Sequence, residues 1–238
     1  RRPPRSTLFP YTTLFRLTTP ITWDSPMWTI LMSTEHETIH NDTSSVLIRQ
    51  HKLERIKPVP IFNLCPMQDR PAPRNELVAV KAAEVSWGKA NLSKNVYGWD
   101  NEYGNRKEMV PEFRASKFVV SNDEFFEFYA DKGYSTQKWW SAEGWKWITQ
   151  MKISHPEFWV PDDKATRGFR YRATFEVINM PWSWPIDCNY LEAKAFCAWK
   201  SAKTGMQLRL PTEAEWYSLR QQAKVLDEPE WGVGRAHV

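Results

Sequence analysis

The feature that most constrains this chain is the run from Pro185 to Trp216: P-I-D-C-N-Y-L-E-A-K-A-F-C-A-W-K, a short loop, then R-L-P-T-E-A-E-W. It reads as helix, turn, helix. Asn189 is a candidate N-cap, and Glu192 three residues on closes a capping box, two reciprocal bonds that satisfy N–H groups a helix start leaves unpaired. Tyr190, Leu191, Ala193, Ala195, Phe196, Cys197, Ala198 and Trp199 place apolar groups around most of the helix, which predicts burial on nearly every side. Gly205 supplies the stop. Thr212, after Pro211, opens the second helix with Glu215 as its box partner. A chain of 238 residues has ample material to bury such a helix, and its 14 tryptophans are large core fillers.

The net charge of +4 invites a nucleic-acid reading, but its source argues against one. Residues 1–16 hold Arg1, Arg2, Arg5 and Arg16 and no acid; taking these four from the 32 Lys and Arg leaves 28, equal to the 28 Asp and Glu. The segment 1–19 has neither helical nor strand period and reads as an adapter-like, non-native leader. No nucleic-acid partner is therefore expected. No apolar run approaches the ~20 residues of a membrane span, so no membrane partner is expected either. Three cysteines (Cys65, Cys188 and Cys197) without a signal peptide point to a reducing, cytoplasmic setting and to free thiols.

Protein-like sequence begins at residue 20. Ser25 before Pro26 is a helix start, and Trp28, Met32, Ile39 and Val46 fall on one stripe at 100° per residue, predicting an amphipathic helix to about Gln50. Residues 52–76 read as a linker, in which Pro58, Pro60, Pro66, Pro71 and Pro73 exclude a helix. From Leu77, V-A-V-K-A-A-E-V-S-W-G is strand material, followed by Y-G-W-D-N-E-Y-G, and Phe113 to Val120 alternates like a strand. Ser121 with Glu124 predicts a capping box opening a helix over N-D-E-F-F-E-F-Y-A. Residues 134–184 show no clean period, so irregular loops and short strands packed on aromatics are expected there.

His36 and His40 lie four residues apart, one helical turn, where two imidazoles can share one metal ion. Spacing alone also allows two unconnected surface or core histidines. Asp42 completes an H-x-x-x-H-x-D pattern, yet it sits about 160° around the axis from His40 and about 120° from His36, too far round to reach the same ion. His51 is displaced about 16 Å along the axis from His40. His155 and His237 lack a ligand context. The acidic pairs Glu213/Glu215 and Asp100/Glu102 could form acid–base dyads, but at a helix start the first pair is better explained by capping and the macrodipole.

The Pro185–Trp216 run resembles the signature of the sulfatase-modifying-factor family, named after the formylglycine-generating enzyme, with Asn189-Tyr190 where that family has a small residue and Trp. The resemblance implies an α+β fold, a C-type-lectin-like domain. Taken with the H-x-x-x-H helix, the Pro-rich linker, Y-G-W-D-N-E-Y-G and M-P-W-S-W-P-I-D-C, it extends to the iron-dependent sulfoxide synthases of thiohistidine biosynthesis. These fuse a DinB-like helical bundle to that domain. The wording is similar to the ovothiol branch, the 5-histidylcysteine sulfoxide synthases; the ergothioneine branch more often reads F-D-N-E where this chain has Trp99-Asp100-Asn101-Glu102.

That resemblance implies Fe(II) held by three histidines, two of which map onto His36 and His40, with Asp42 where the family has Glu. It implies cysteine, histidine and O2 as substrates. The third ligand and a catalytic Tyr would come from segments this chain does not contain. Residues 20–51 are then the C-terminal helix of the bundle, and 77–238 the N-terminal part of an incomplete sulfatase-modifying-factor domain. The chain is accordingly expected to be an internal fragment, inactive by itself. Two other readings stand beside this one: an ergothioneine-branch enzyme, and a non-catalytic lectin-like binding module.

Overall fold

A computed structural model describes residues 21, 25–58, 71–89 and 97–223. The leader, Cys65, His237 and much of the predicted linker lie outside these residues. The chain divides into two compact units, each drawn from two stretches: 1–55 with 86–108, and 56–85 with 109–238. Among the described residues, no helix is long and apolar enough to cross a membrane.

Helix α1 (Pro26–Gln50) organises the first unit. The Ser25 hydroxyl accepts the Met27 N–H, and Pro26 takes a first-turn position whose N–H a helix would leave unbonded. The predicted boundaries hold. The predicted stripe is only partly covered: no residue of α1 is buried, Trp28 and Met32 are half-buried, and Ile39 and Val46 are 50% and 45% exposed. The same unit contains a turn around Tyr97–Gly104 with one 3₁₀ turn, Asp100–Glu102. Gly88 (φ 93°) approaches Gly104 so closely that a Cβ there would lie 2.7 Å from the Gly104 carbonyl oxygen, which leaves glycine as the fitting residue.

Elsewhere strands and helices mix, as expected for an α+β chain. Strand β1 (Leu77–Val80) pairs antiparallel with β4 (Phe113–Ser116), from Leu77 opposite Ser116 to Val80 opposite Phe113. β2 (Ala83–Trp87) pairs with β3 (Arg106–Val110). α2 (Asn122–Ala130) and α3 (Ala142–Met151) follow, then an antiparallel meander of β5 (Trp159–Pro161), β6 (Phe169–Arg172) and β7 (Val177–Asn179). α4 (Tyr190–Thr204) and α5 (Glu213–Gln222) complete the described chain, both with the full capping boxes predicted for them.

The core of the second unit is aromatic. Phe125 stacks on Phe196 at 5.3 Å, Phe128 meets Trp199 and Trp140, and Trp159 (1% exposed) packs against Phe125 and Phe169. Asn122 is fully enclosed: it accepts the Trp159 indole N–H at 3.0 Å and donates to the Pro181 carbonyl at 3.0 Å. Trp182 and Trp184 turn their carbonyls to the Asp123 and Asn122 N–H groups, closing the start of α2. Buried Glu192 of α4 accepts from the Tyr134 hydroxyl at 2.5 Å and from the Asn189 N–H at 2.9 Å. Its own burial raises the carboxyl's pKa, while those two donors pull the other way.

Three expectations need correction. α4 is not buried all round: Glu192, Ala195, Phe196 and Trp199 form one buried stripe, whereas Tyr190 is 63% exposed and Ala198 is exposed. Alanine favours helix without demanding burial, so the apolar count overstated the covered surface. The Ser121 box is only half made, for Ser121 accepts the Glu124 N–H while the Glu124 carboxylate binds Asn75 Nδ2 and Lys200. And residues 134–184 hold a regular helix, α3, capped by Ser141, whose hydroxyl accepts the Gly144 N–H.

Candidate metal centre

His36 and His40 occupy successive turns on one face of α1, and their rings converge. Their Nε2 atoms are 2.6 Å apart and their centroids 4.4 Å. Two neutral imidazoles in this posture share one proton; two ligands about 2.1 Å from one ion, at right angles, would sit about 3 Å apart. The observed separation is thus slightly shorter than such a ligand pair requires. Both histidines are exposed, so further coordination positions face outward.

The distant Y-G-W-D-N-E turn lies against this face of the helix. The Trp99 indole runs nearly parallel to the His36 ring, 8° between planes and 6.1 Å between centroids. Its N–H donates to Glu35 Oε2 at 2.6 Å, 64 residues away in sequence. Trp28 Nε1 donates to the Gly98 carbonyl at 3.2 Å, and its ring meets Tyr97 at 6.1 Å. Within the turn, Glu102 accepts the Trp99 N–H at 2.6 Å and pairs with Lys89 at 3.1 Å, while Lys89 also donates to the Tyr97 carbonyl. Burial alone would raise the Glu102 carboxyl's pKa, but the Trp99 and Lys89 donors outweigh it and hold it low. Among the described residues the buried Tyr97 hydroxyl oxygen has no partner in hydrogen-bonding geometry; burial first, and the negative charge of Glu35 second, raise its pKa. A Cβ on Gly98 would meet Lys89 Nζ at 2.5 Å and Glu102 Oε2 at 2.8 Å, so the turn closes around a residue without a side chain.

The other candidates fall outside this cluster. Among the described residues no three His, Cys, Asp or Glu side chains gather to hold an ion, so neither Asp42 nor another described group completes the pair. His51 ends α1, its N–H bonded to the Ile48 carbonyl. His155 bonds the Pro156 carbonyl and packs on Phe169. Cys188 and Cys197 are free, and burial, then the charges of Glu192 and Asp187, push the Cys188 thiol up to about 12. A thiol held protonated is a poor metal ligand. The acidic pairs are structural: Glu215 closes the Thr212 box and grips Arg209 with both oxygens, and Asp100 accepts the next backbone N–H. The reading of the residues missed Trp99, Glu35 and Lys89 as neighbours of the histidines. The turn was visible as a motif, but no local period connects it to a helix so far back in sequence.

The model of the sulfatase-modifying factor enzyme 1-like domain matches residues 63–223. A hercynine oxygenase of Mycolicibacterium thermoresistibile is 36% identical over 127 residues, 53% of this chain and 26% of that protein. A hercynine oxygenase of Mycolicibacterium smegmatis is 29% identical over 194 residues, 81% of this chain and 42% of that protein. An inactive Cα-formylglycine-generating enzyme 2 of Bos taurus is 27% identical over 139 residues, 50% of this chain and 41% of that protein. The chain thus spans between about a quarter and two fifths of the length of these relatives.

Proposed function

Because the chain belongs to the sulfatase-modifying factor enzyme 1-like domain family, and because its two helical histidines converge as they do, we propose that it is part of an iron(II)- and O2-dependent sulfoxide synthase in which His36 and His40 hold the metal. The observation that carries this reading is the 2.6 Å approach of the two Nε2 atoms on an exposed helix face. Two neutral imidazoles and open outward positions suit Fe(II) that must also take substrate and oxygen. Bound there, Fe(II) supplies oxygen activation for joining a thiol sulfur to an imidazole carbon. The overall balance is one S–H, one C–H and one O2 giving a C–S bond, one S=O and one water. Oxygen takes four electrons, two from forming the bond and two from oxidising sulfur. α1, on this reading the last helix of a DinB-like bundle, supplies two adjacent ligand positions, and Glu35 and Trp99 flank the first of them.

Two co-substrates compete. Trp99-Asp100-Asn101-Glu102 favours the ovothiol branch, with histidine and cysteine as substrates. The names of the mycobacterial relatives favour hercynine in place of histidine. A third reading, a non-catalytic module, draws support from the inactive bovine relative. The free, protonated thiols agree with a reducing cytoplasmic setting.

The test uses the full-length protein under anaerobic Fe(II), then oxygen uptake and product analysis with cysteine plus either histidine or hercynine. His36→Ala and His40→Ala should each lose iron and turnover, since each removes a ligand, while Asp42→Asn should keep both. Iron retained in both alanine variants would refute the assignment. Product from one imidazole and not the other decides the branch.

A further inference from the structure

Resting on the metal reading of His36 and His40, we propose that Trp99 is the positioning residue of this centre, fixing the His36 imidazole from outside its own helix. On an exposed helix face an imidazole turns among several rotamers, and that freedom must be given up on binding a metal. Metal-binding histidines normally have it removed beforehand by an outer partner. On α1 the residues three and four away are Met32, Ser33, Ile39 and His40; the Ser33 hydroxyl is bonded to the Thr29 carbonyl, and His40 is the other ligand. The Trp99 indole is the outer partner here, lying 8° from parallel to the His36 ring.

The indole is itself held at both ends. Its N–H is bound to Glu35, the residue before His36, so it is fixed to the helical turn that carries the ligand. Its backbone N–H is bound to Glu102, and Glu102 to Lys89. Lys89 and Glu102 close over Gly98, where a Cβ would meet both side chains. Trp28 gives a second anchor, its indole N–H donating to the Gly98 carbonyl. The strap therefore has one contact that sets the ligand and another that holds the strap down. Among the described residues the indole stacks on His36 and not on His40, whose ring meets only the edge of His36, so the centre is asymmetric.

The experiment uses Co(II) as the probe, titrated into the full-length protein and followed by its visible absorption, with NMR of the histidine rings in metal-free protein. Trp99→Leu should weaken Co(II) binding by about 10–100-fold. Trp99→Phe, which keeps a ring but loses the N–H, should fall between it and wild type. Trp28→Phe, which removes the Gly98 anchor but leaves the Trp99 stack and its Glu35 bond in place, should weaken it less than Trp99→Leu. In metal-free protein the ring-current shift on the His36 protons should vanish in Trp99→Leu, with the His40 protons unmoved. Equal weakening by Trp28→Phe and Trp99→Leu would mean the strap acts only as general packing, and an unchanged affinity in Trp99→Leu would overturn the inference outright. Wild type binding no Co(II), or no more than His36→Ala, would sink the metal reading and this inference with it.

Discussion

Tyr134→Phe removes a single oxygen from the interior and isolates one interaction. The ring stays, so its contacts with Phe128 at 5.8 Å and Trp140 at 5.6 Å persist. What disappears is the 2.5 Å donor to Glu192, a carboxyl only 4% exposed and unable to recruit water in exchange. A hydrogen bond to a charged group contributes about 1.5–3 kcal/mol, so the variant should lose about 2 kcal/mol near pH 8. The loss should depend on pH, with a determined sign. Burial raises the folded pKa of Glu192 above its ordinary value of 4.5, so the folded state binds a proton more readily than the unfolded one. Such a group contributes stability that is fully present below the unfolded pKa and is lost as pH rises through the folded pKa. The Tyr134 hydroxyl limits that loss by lowering the pKa, so without it stability falls further with rising pH. At pH 4 the carboxyl is neutral and only a neutral hydrogen bond is missing, about 1 kcal/mol. Urea unfolding followed by circular dichroism at the two pH values checks this. An equal loss at both, or less than about 0.5 kcal/mol at pH 8, would refute the claim that the hydroxyl serves a buried carboxylate.

Two further predictions concern the same unit. Asn122→Leu fits the volume but strands the Trp159 N–H and the Pro181 carbonyl. At about 1–3 kcal/mol for each unpaired buried group, a loss of about 2–5 kcal/mol in the same urea assay is expected, and less than about 1 kcal/mol would contradict the burial. Arg209, donating to both Glu215 oxygens, and the Thr212 N–H hold the Glu215 carboxyl down at about 2. A depressed folded pKa contributes stability above the ordinary 4.5 that is lost as pH falls toward 2, so Arg209→Ala should move acid unfolding to higher pH. A Glu215 carboxyl titration by NMR that does not shift upward in this variant would count against the pair.

Where the determinants of structure are local, the residues announce them. Ser25-Pro26, Asn189 with Glu192 and Thr212 with Glu215 each place a donor and acceptor three residues or fewer apart, and each cap forms as predicted. Helix α3 escaped because Trp145, Trp147 and Ile148 break a simple period. Ser141 followed three residues later by Gly144 offers a cap without the acid that would complete a box. Ser121 misled in the opposite way: its partner acid is present, but Asn75 and Lys200 compete for it through the tertiary structure. For the candidate site, the H-x-x-x-H spacing allowed two imidazoles to meet without requiring it, and the rings do converge. The partners Trp99 and Glu35 were not legible, because an indole-to-carboxylate bond across 64 residues leaves no trace in local pattern.

The two units interleave along the chain, since 86–108 returns to join 1–55 after 56–85 has gone to the other unit. That weave affects synthesis and handling alike. On a ribosome, α1 emerges well before the turn that carries Trp99, so the two histidines are made long before their indole neighbour exists. On the proposed metal reading, metal offered to the nascent helix would meet rings with no strap across them, and loading should become efficient only after residue 108 has been translated. By the same logic no single peptide cleavage releases either unit whole. A protease nick near residue 56 should leave the pieces associated, and a recombinant piece ending at residue 55 would carry both histidines but none of the side chains from 86–108 that surround them.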